Sequence, residues 1–221
     1  MAMGAGGFAA TPGGGTRRVT LLHLTDTHAQ LETHPEYLPG ESPTLQMMGG
    51  FARVKTALER ERSTAAEACF VVDGGDEFQG SGPAAWSEGE VMVDPLNALG
   101  LDVFVPGNWE PAYGPARFRD QMGRLEAQVA CYNLHDVTSG ERLFPPAVTL
   151  RRGGVTVTFV GVTDIPASTR QPPAMFAGMD TTRIEGLREF VQDVRRRERP
   201  DLVVAVTHTG LTIARQMARE M

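Results

Sequence analysis

From about residue 18 onward, short β-branched runs alternate with stretches whose apolar residues recur every three or four positions. That pattern predicts strands interleaved with helices, and so an α/β fold. The predicted strands are Val19 to Leu24, Ala68 to Val72, Asp102 to Val105, Gln128 to Tyr132 and Leu202 to Val206, with a hairpin of Ala147 to Arg151 and Val155 to Val162 turning at Arg152-Gly153-Gly154. Several are apolar at successive positions, as strands covered on both faces require. Phe51, Val54 and Leu58 fall at helical spacing after Gly49-Gly50, and Ile184, Leu187, Val191 and Val194 do so before Pro200. A shorter helix is expected from Asp94, with Pro95 at its first position, to Gly100, and another near Pro115.

With 221 residues, 41% of them hydrophobic and 22% charged, the chain can bury a sizeable core. A formal net charge of -6 argues against unaided nucleic-acid binding. No apolar run reaches the roughly 20 residues of a membrane-spanning helix. The Gly- and Ala-rich start, residues 1–16, reads as a flexible leader without a signal-peptide pattern, and residues 17–221 as one folded domain. Cys69 and Cys131 each sit in an apolar segment, where a reduced core thiol is expected.

Chelating residues follow the strands. Asp26 and His28 come after the first, Asp73 and Asp76 after the second, Asn108 and Glu110 after the third, and His208 after Leu202 to Val206. In open α/β sheets the carboxyl ends of strands face one crevice, so residues distant in sequence converge there. Taken singly, each has a structural reading. Asp26 could cap a helix or form an Asx-turn, His28 could be a surface histidine, Asp73 could support the Gly74-Gly75 turn, Asn108 could be a turn residue and His208 a hydrogen-bonded core histidine. Taken together, carboxylate, imidazole and amide oxygen form a donor set for divalent Mn, Fe, Zn or Mg. An ion pair of that kind suits hydrolysis at phosphorus or a similar centre.

Four segments, LTDTHAQ (Leu24 to Gln30), VVDGGDEFQGSG (Val71 to Gly82), PGNWE (Pro106 to Glu110) and VAVTHTG (Val204 to Gly210), resemble in that order the blocks of the calcineurin-like metallophosphoesterases, in the bacterial 5′-nucleotidase branch. The resemblance implies a four-layer αββα sandwich carrying two divalent metal ions, with manganese expected. It implies that Asp26 and His28 ligate one ion, that Asp76 bridges, that Asn108 and His208 ligate the other, and that Asp73 and Glu110 support these from behind. The family continues past the His208 block to a Gly-His-x-His segment, so a catalytic domain ending at Met221 is expected to be incomplete at its C-terminal side.

Within the branch, GGFARV (Gly49 to Val54), VMVDPLNALGLDV (Val91 to Val103) and WEPAYG (Trp109 to Gly114) are similar to the thiosulfohydrolases of the bacterial sulfur-oxidation (Sox) pathway. Trp109 stands where the wider family has a histidine that assists leaving-group departure. Losing a general acid costs about 10²–10⁴ in rate, which a better leaving group makes tolerable. The resemblance therefore implies removal of sulfate from a cysteine-bound thiosulfonate on a sulfur-carrier protein in the periplasm, with Trp109 shaping the leaving-group pocket. The alternatives are a 5′-nucleotidase or other phosphoesterase acting on a small-molecule phosphoester, or an inactive relic or binding domain.

Gly74 to Phe78 also spell GGDEF, the diguanylate cyclase signature. In those cyclases the letters occupy a tight turn between antiparallel strands. Here they lead into Gln79-Gly80-Ser81-Gly82-Pro83, which is a poor start for a strand. Neither a GxSxG elbow nor a Walker phosphate loop occurs.

Overall fold

A computed structural model describes residues 16–40, 44–65 and 67–221. Apart from Thr16, the expected leader lies outside these residues. β1 (Val19–Leu24) leads to a hairpin of β2 (Thr33–Leu38) and β3 (Thr44–Gly49), then α1 (Phe51–Thr64). Next come β4 (Ala68–Asp73), α2 (Gly82–Trp86), α3 (Val93–Leu99), β5 (Val103–Phe104), α4 (Pro115–Arg124) and β6 (Gln128–Val129). The remainder runs β7 (His135–Asp136), β8 (Ala147–Arg152), β9 (Val155–Val162), α5 (Ala167–Arg170), β10 (Met179–Asp180), α6 (Leu187–Glu198), β11 (Leu202–Thr207) and α7 (Leu211–Glu220).

One sheet has the order β1-β4-β5-β6 with every pair parallel. A second has the order β11-β9-β8, in which β11 runs parallel and β8 antiparallel to β9. The alternation of side chains along a strand divides the core into layers. Ala68, Phe70 and Val72 of β4 meet Val155, Val157 and Phe159 of β9 between the sheets, and the Phe70 and Phe159 rings pack edge to face at 5.5 Å. Val71 and Phe104, on the other face of the first sheet, pack on Leu58 of α1, Leu96 of α3 and Phe118 of α4. Val160 and Val162 lie with Leu187 and Val191 of α6 and Met217 of α7. The order of layers is helix, sheet, sheet, helix, the expected αββα sandwich.

Local departures from expectation have local causes. β5 ends at Phe104 because Pro106-Gly107 leaves the ladder. Past Val129 the chain peels toward the second sheet, where the Cys131 N–H donates to the Pro145 carbonyl at 2.8 Å. The helix expected to include Ile184 starts at Leu187, behind Gly186 in the left-handed region (φ 78°). α3 stops where Gly100 (φ 64°) supplies the left-handed cap. Cys69 and Cys131 are buried and unpaired, and no described helix is long and apolar enough to cross a membrane.

Candidate metal centre

The parallel register sets the site. β1 and β4 pair with Leu24 opposite Asp73, and β4 and β5 with Asp73 opposite Phe104, so three loops leave one sheet edge side by side. Backbone bonds knit them together: the Asp26 N–H donates to the Gly75 carbonyl at 2.8 Å and the His28 N–H to the Asp76 carbonyl at 3.0 Å. Asp26 (φ 55°), His28 (φ 49°) and Asp76 (φ 65°) all adopt the left-handed conformation that non-glycine residues avoid. Such strain persists where surrounding bonds over-determine the backbone, commonly at functional sites.

The Glu110 carboxylate ties the second and third loops together, accepting the N–H groups of Asp76 (2.9 Å), Glu77 (2.7 Å) and Gly107 (2.5 Å). The Trp109 N–H donates to Asp76 Oδ1 at 2.8 Å. A β-carbon on Gly75 would sit 2.2 Å from the Gly107 nitrogen, so only glycine permits this approach.

Asp26, His28 and Asp76 each offer a donor atom within 4.8 Å of the others. His208, at the end of β11, brings Nε2 to 3.2 Å from Asp76 Oδ2 and 3.9 Å from Asp26 Oδ1. The Nδ1 atoms of His208 and His28 sit 2.7 Å and 3.1 Å from the carbonyls of Gly74 and Gln79. A carbonyl only accepts, so each Nδ1 carries a proton, and Nε2 is the atom each ring turns toward the acidic cluster and could offer to a cation. Asn108 is buried and joins Asp26 and His208 on the wall of a cavity of about 510 Å³. His23, Asp164 and Arg170 also line that cavity. The Trp109 indole packs against the apolar cluster of α1, α3 and α4 and is not among the residues lining it.

Asp73, Asp76, Glu77 and Glu110 are all buried, and among the described residues no lysine or arginine pairs with them. Burial, with the charge of Glu77 added, pushes the Asp73 carboxyl well above its usual range. Burial also raises Glu77 to about 8, although the Thr27 hydroxyl and N–H donate to it and hold it lower. Glu110 is raised to about 7 by burial and by the Asp76 charge, against its backbone donors. For His208, burial acts downward, but the bond to Asp76 and its charge prevail and raise the imidazole to about 9. A buried acidic cluster with two oriented imidazoles, and with Asp73 Oδ2 lacking any hydrogen-bond partner, suits divalent cations.

The GGDEF letters are absorbed here. β4 has parallel neighbours on both sides, Asp76 joins the cluster, Glu77 bonds Thr27, and Phe78 is buried against Phe104 at 6.3 Å. Sequence reasoning missed Thr27, Glu77 and Asp164. Asp164 was legible by the rule that found the others, since it follows the strand Val155 to Val162.

Comparisons with known proteins agree with this fold. The calcineurin-like phosphoesterase family matches residues 19–220. Protein UshA of Escherichia coli (strain K12) is 26% identical over 199 residues, 88% of this chain and 34% of its own. A 5′-nucleotidase of Vibrio cholerae is 23% identical over 201 residues, with the same shares. The chain thus spans about a third of the length of these curated relatives. Among solved structures, a 5′-nucleotidase precursor from Thermus thermophilus superposes with a TM-score of 0.77 at 25% identity, covering 91% of this chain and 39% of that one. The sulfate thiohydrolase SoxB of the same organism superposes with a TM-score of 0.79 at 23% identity, covering 96% and 47%. With the family's match running over residues 19–220 and its layers shared with those structures, the chain belongs to the calcineurin-like phosphoesterase family.

Proposed function

We propose that this domain hydrolyses phosphomonoesters in the manner of a 5′-nucleotidase, with Asp26, His28, Asp76, Asn108 and His208 holding two divalent ions. The observation that carries the reading is the convergence of Asp26, His28, Asp76 and His208 on one cluster beside a cavity large enough for a small substrate. The donors are oxygen and imidazole nitrogen, which accommodate Mn, Fe, Zn or Mg. Ions bound there supply Lewis-acid polarisation of the phosphoryl oxygens and a water acidic enough to ionise near neutral pH. The chain's own residues do the positioning. Gly74 and Gln79 fix the imidazole rings, Glu110 fixes the backbone under Asp76, and Asn108 presents its amide at the cavity wall.

A second reading rests on Trp109. An indole donates no proton to a departing alkoxide, which favours a good leaving group such as the sulfur of a cysteine-bound thiosulfonate on a sulfur-carrier protein. The curated relatives by sequence include UshA proteins and 5′-nucleotidases, which favours the phosphoester. The test is manganese-loaded protein incubated separately with a nucleoside 5′-monophosphate and with a peptide bearing a cysteine thiosulfonate. Release of inorganic phosphate is expected. Sulfate release without phosphate release would install the second reading, and release of neither would overturn both.

A further inference from the structure

Arg170 lines the same cavity as Asp26, Asn108 and His208, and nothing described so far uses it. Its place is fixed by the second sheet. β9 and β11 run parallel with Val162 opposite Thr207, so the loop after β9 leaves the sheet beside the loop that carries His208. The His208 N–H donates to the Val162 carbonyl at 2.8 Å. Thr163 and Asp164 then lead into α5, which is pinned in place. Ala167 is fully buried, the Ser168 N–H donates to Thr181 Oγ1 at 3.0 Å, and the Thr181 N–H donates back to Ser168 Oγ at 3.1 Å.

Arg170 ends α5, and its guanidinium donates to the carboxylate of Asp164. The Asp164 side chain is only 11% exposed and that of Arg170 is 57% exposed. A guanidinium carries five N–H donors in a rigid fork suited to phosphate oxygens. Among the described residues Asp164 is its single partner, which holds the fork in one orientation and leaves further donors for a ligand. Among those residues Arg170 is also the one lysine or arginine on the cavity wall. Beside a cluster of buried carboxylates, a fixed cation works against metal uptake but favours an incoming anion.

Resting on the phosphomonoester reading, we infer that Arg170 receives the non-transferred oxygens of the substrate's phosphoryl group and that Asp164 is the positioning residue that orients it. The probe is inorganic phosphate, titrated calorimetrically into manganese-loaded protein and measured in parallel as a competitive inhibitor. Arg170→Ala should weaken phosphate binding about 10–100-fold, the loss expected for charge-assisted bonds. Arg170→Lys, which keeps the charge without the fork, should lie in between. Manganese stoichiometry should stay at the parent value in every variant. Asp164→Asn should weaken phosphate less than Arg170→Ala and add nothing in the double variant, whereas a purely structural Asp164 would add its own loss. Phosphate affinity within twofold of the parent in Arg170→Ala, an additive double variant, lost manganese, or a parent that binds no phosphate would overturn the inference. A parent that binds phosphate through Arg170 yet hydrolyses no phosphomonoester would sink the functional reading and the substrate role with it, leaving Arg170 as a phosphate-binding residue alone.

Discussion

The Glu110 carboxylate accepts the Asp76 backbone N–H at 2.9 Å, so a side chain from the loop after β5 holds the residue on which the acidic cluster centres. The same carboxylate takes the N–H groups of Glu77 and Gly107, and it is almost wholly buried. Glu110→Gln replaces one accepting oxygen with a donor, which leaves at least one buried N–H facing an NH₂ group. The expected cost is about 2–4 kcal/mol of stability, from unsatisfied buried donors and a lost charge-assisted bond. Urea unfolding of the variant measures it, together with weakened metal retention. A midpoint equal to the parent's would show that Glu110 does not organise the loops.

Asp76→Asn separates metal binding from folding. Asn keeps an oxygen able to accept the Trp109 N–H now received by Oδ1 at 2.8 Å, so the three loops should stay in place. What it removes is the negative charge between His28 and His208. Metal content measured after desalting should fall, and hydrolysis should drop at least about 100-fold, while the circular dichroism of the metal-free protein stays that of the parent. Full metal content in this variant would remove Asp76 from the proposed ligand set.

The metal-free protein should lose stability as pH rises. Glu77 moves from an ordinary 4.5 to about 8 on folding, and Glu110 from 4.5 to about 7. Each folded form therefore binds its proton more tightly than the unfolded chain does, and stability that is full near pH 4.5 drains away up to about pH 8. His208 rises from 6.5 to about 9. Its pairing with Asp76 stabilises fully below pH 6.5 and is lost as pH climbs through 9. All three act in the same direction between pH 5 and 9. Unfolding midpoints measured across that range on chelator-treated protein should fall, and saturating manganese should flatten or reverse the trend. A midpoint that climbs with pH in the metal-free protein would contradict the burial of these carboxylates.

The parts of this fold that were legible in the sequence are those whose neighbours are the core. β4 and β9 announce themselves because nearly every position is buried, and α1 does so through Phe51 and Leu58. The β2–β3 hairpin was not legible. Tyr37, Leu45 and Met47 stand exposed on it, so no inward face imposes a period on its residues. α2 and α5 are a single turn or little more and escape any periodic reading. At the site, the rule that chelating residues follow strands singled out Asp26, His28, Asp76 and Asn108 after strands of the first sheet and His208 after β11 of the second. The family resemblance placed Glu110 behind the ligands but could not foresee that its carboxylate would gather three backbone N–H groups, nor that the Trp109 indole would pack against the helix-covered core. Both depend on how Pro106-Gly107 directs the loop, which no single segment encodes.

Gly107 offers the most local test of that loop. A β-carbon there would lie 2.2 Å from Asp76 Oδ1 and 2.8 Å from His208 Cε1. Each distance is far inside contact, and both neighbours are tied, Asp76 by the Trp109 N–H and His208 by the Gly74 carbonyl. Neither can retreat without breaking a bond. Gly107→Ala should therefore cost about 1–3 kcal/mol, as overpacking does, and should spread the two side chains whose donor atoms now stand 3.2 Å apart. The measurement is manganese affinity by titration beside the unfolding midpoint. Because the clash is aimed at these two residues, affinity should fall by more than the stability loss alone predicts. A variant that binds manganese as the parent does would mean that the loop after β5 shifts freely, and that the geometry of the cluster is set by β1, β4 and β11 alone.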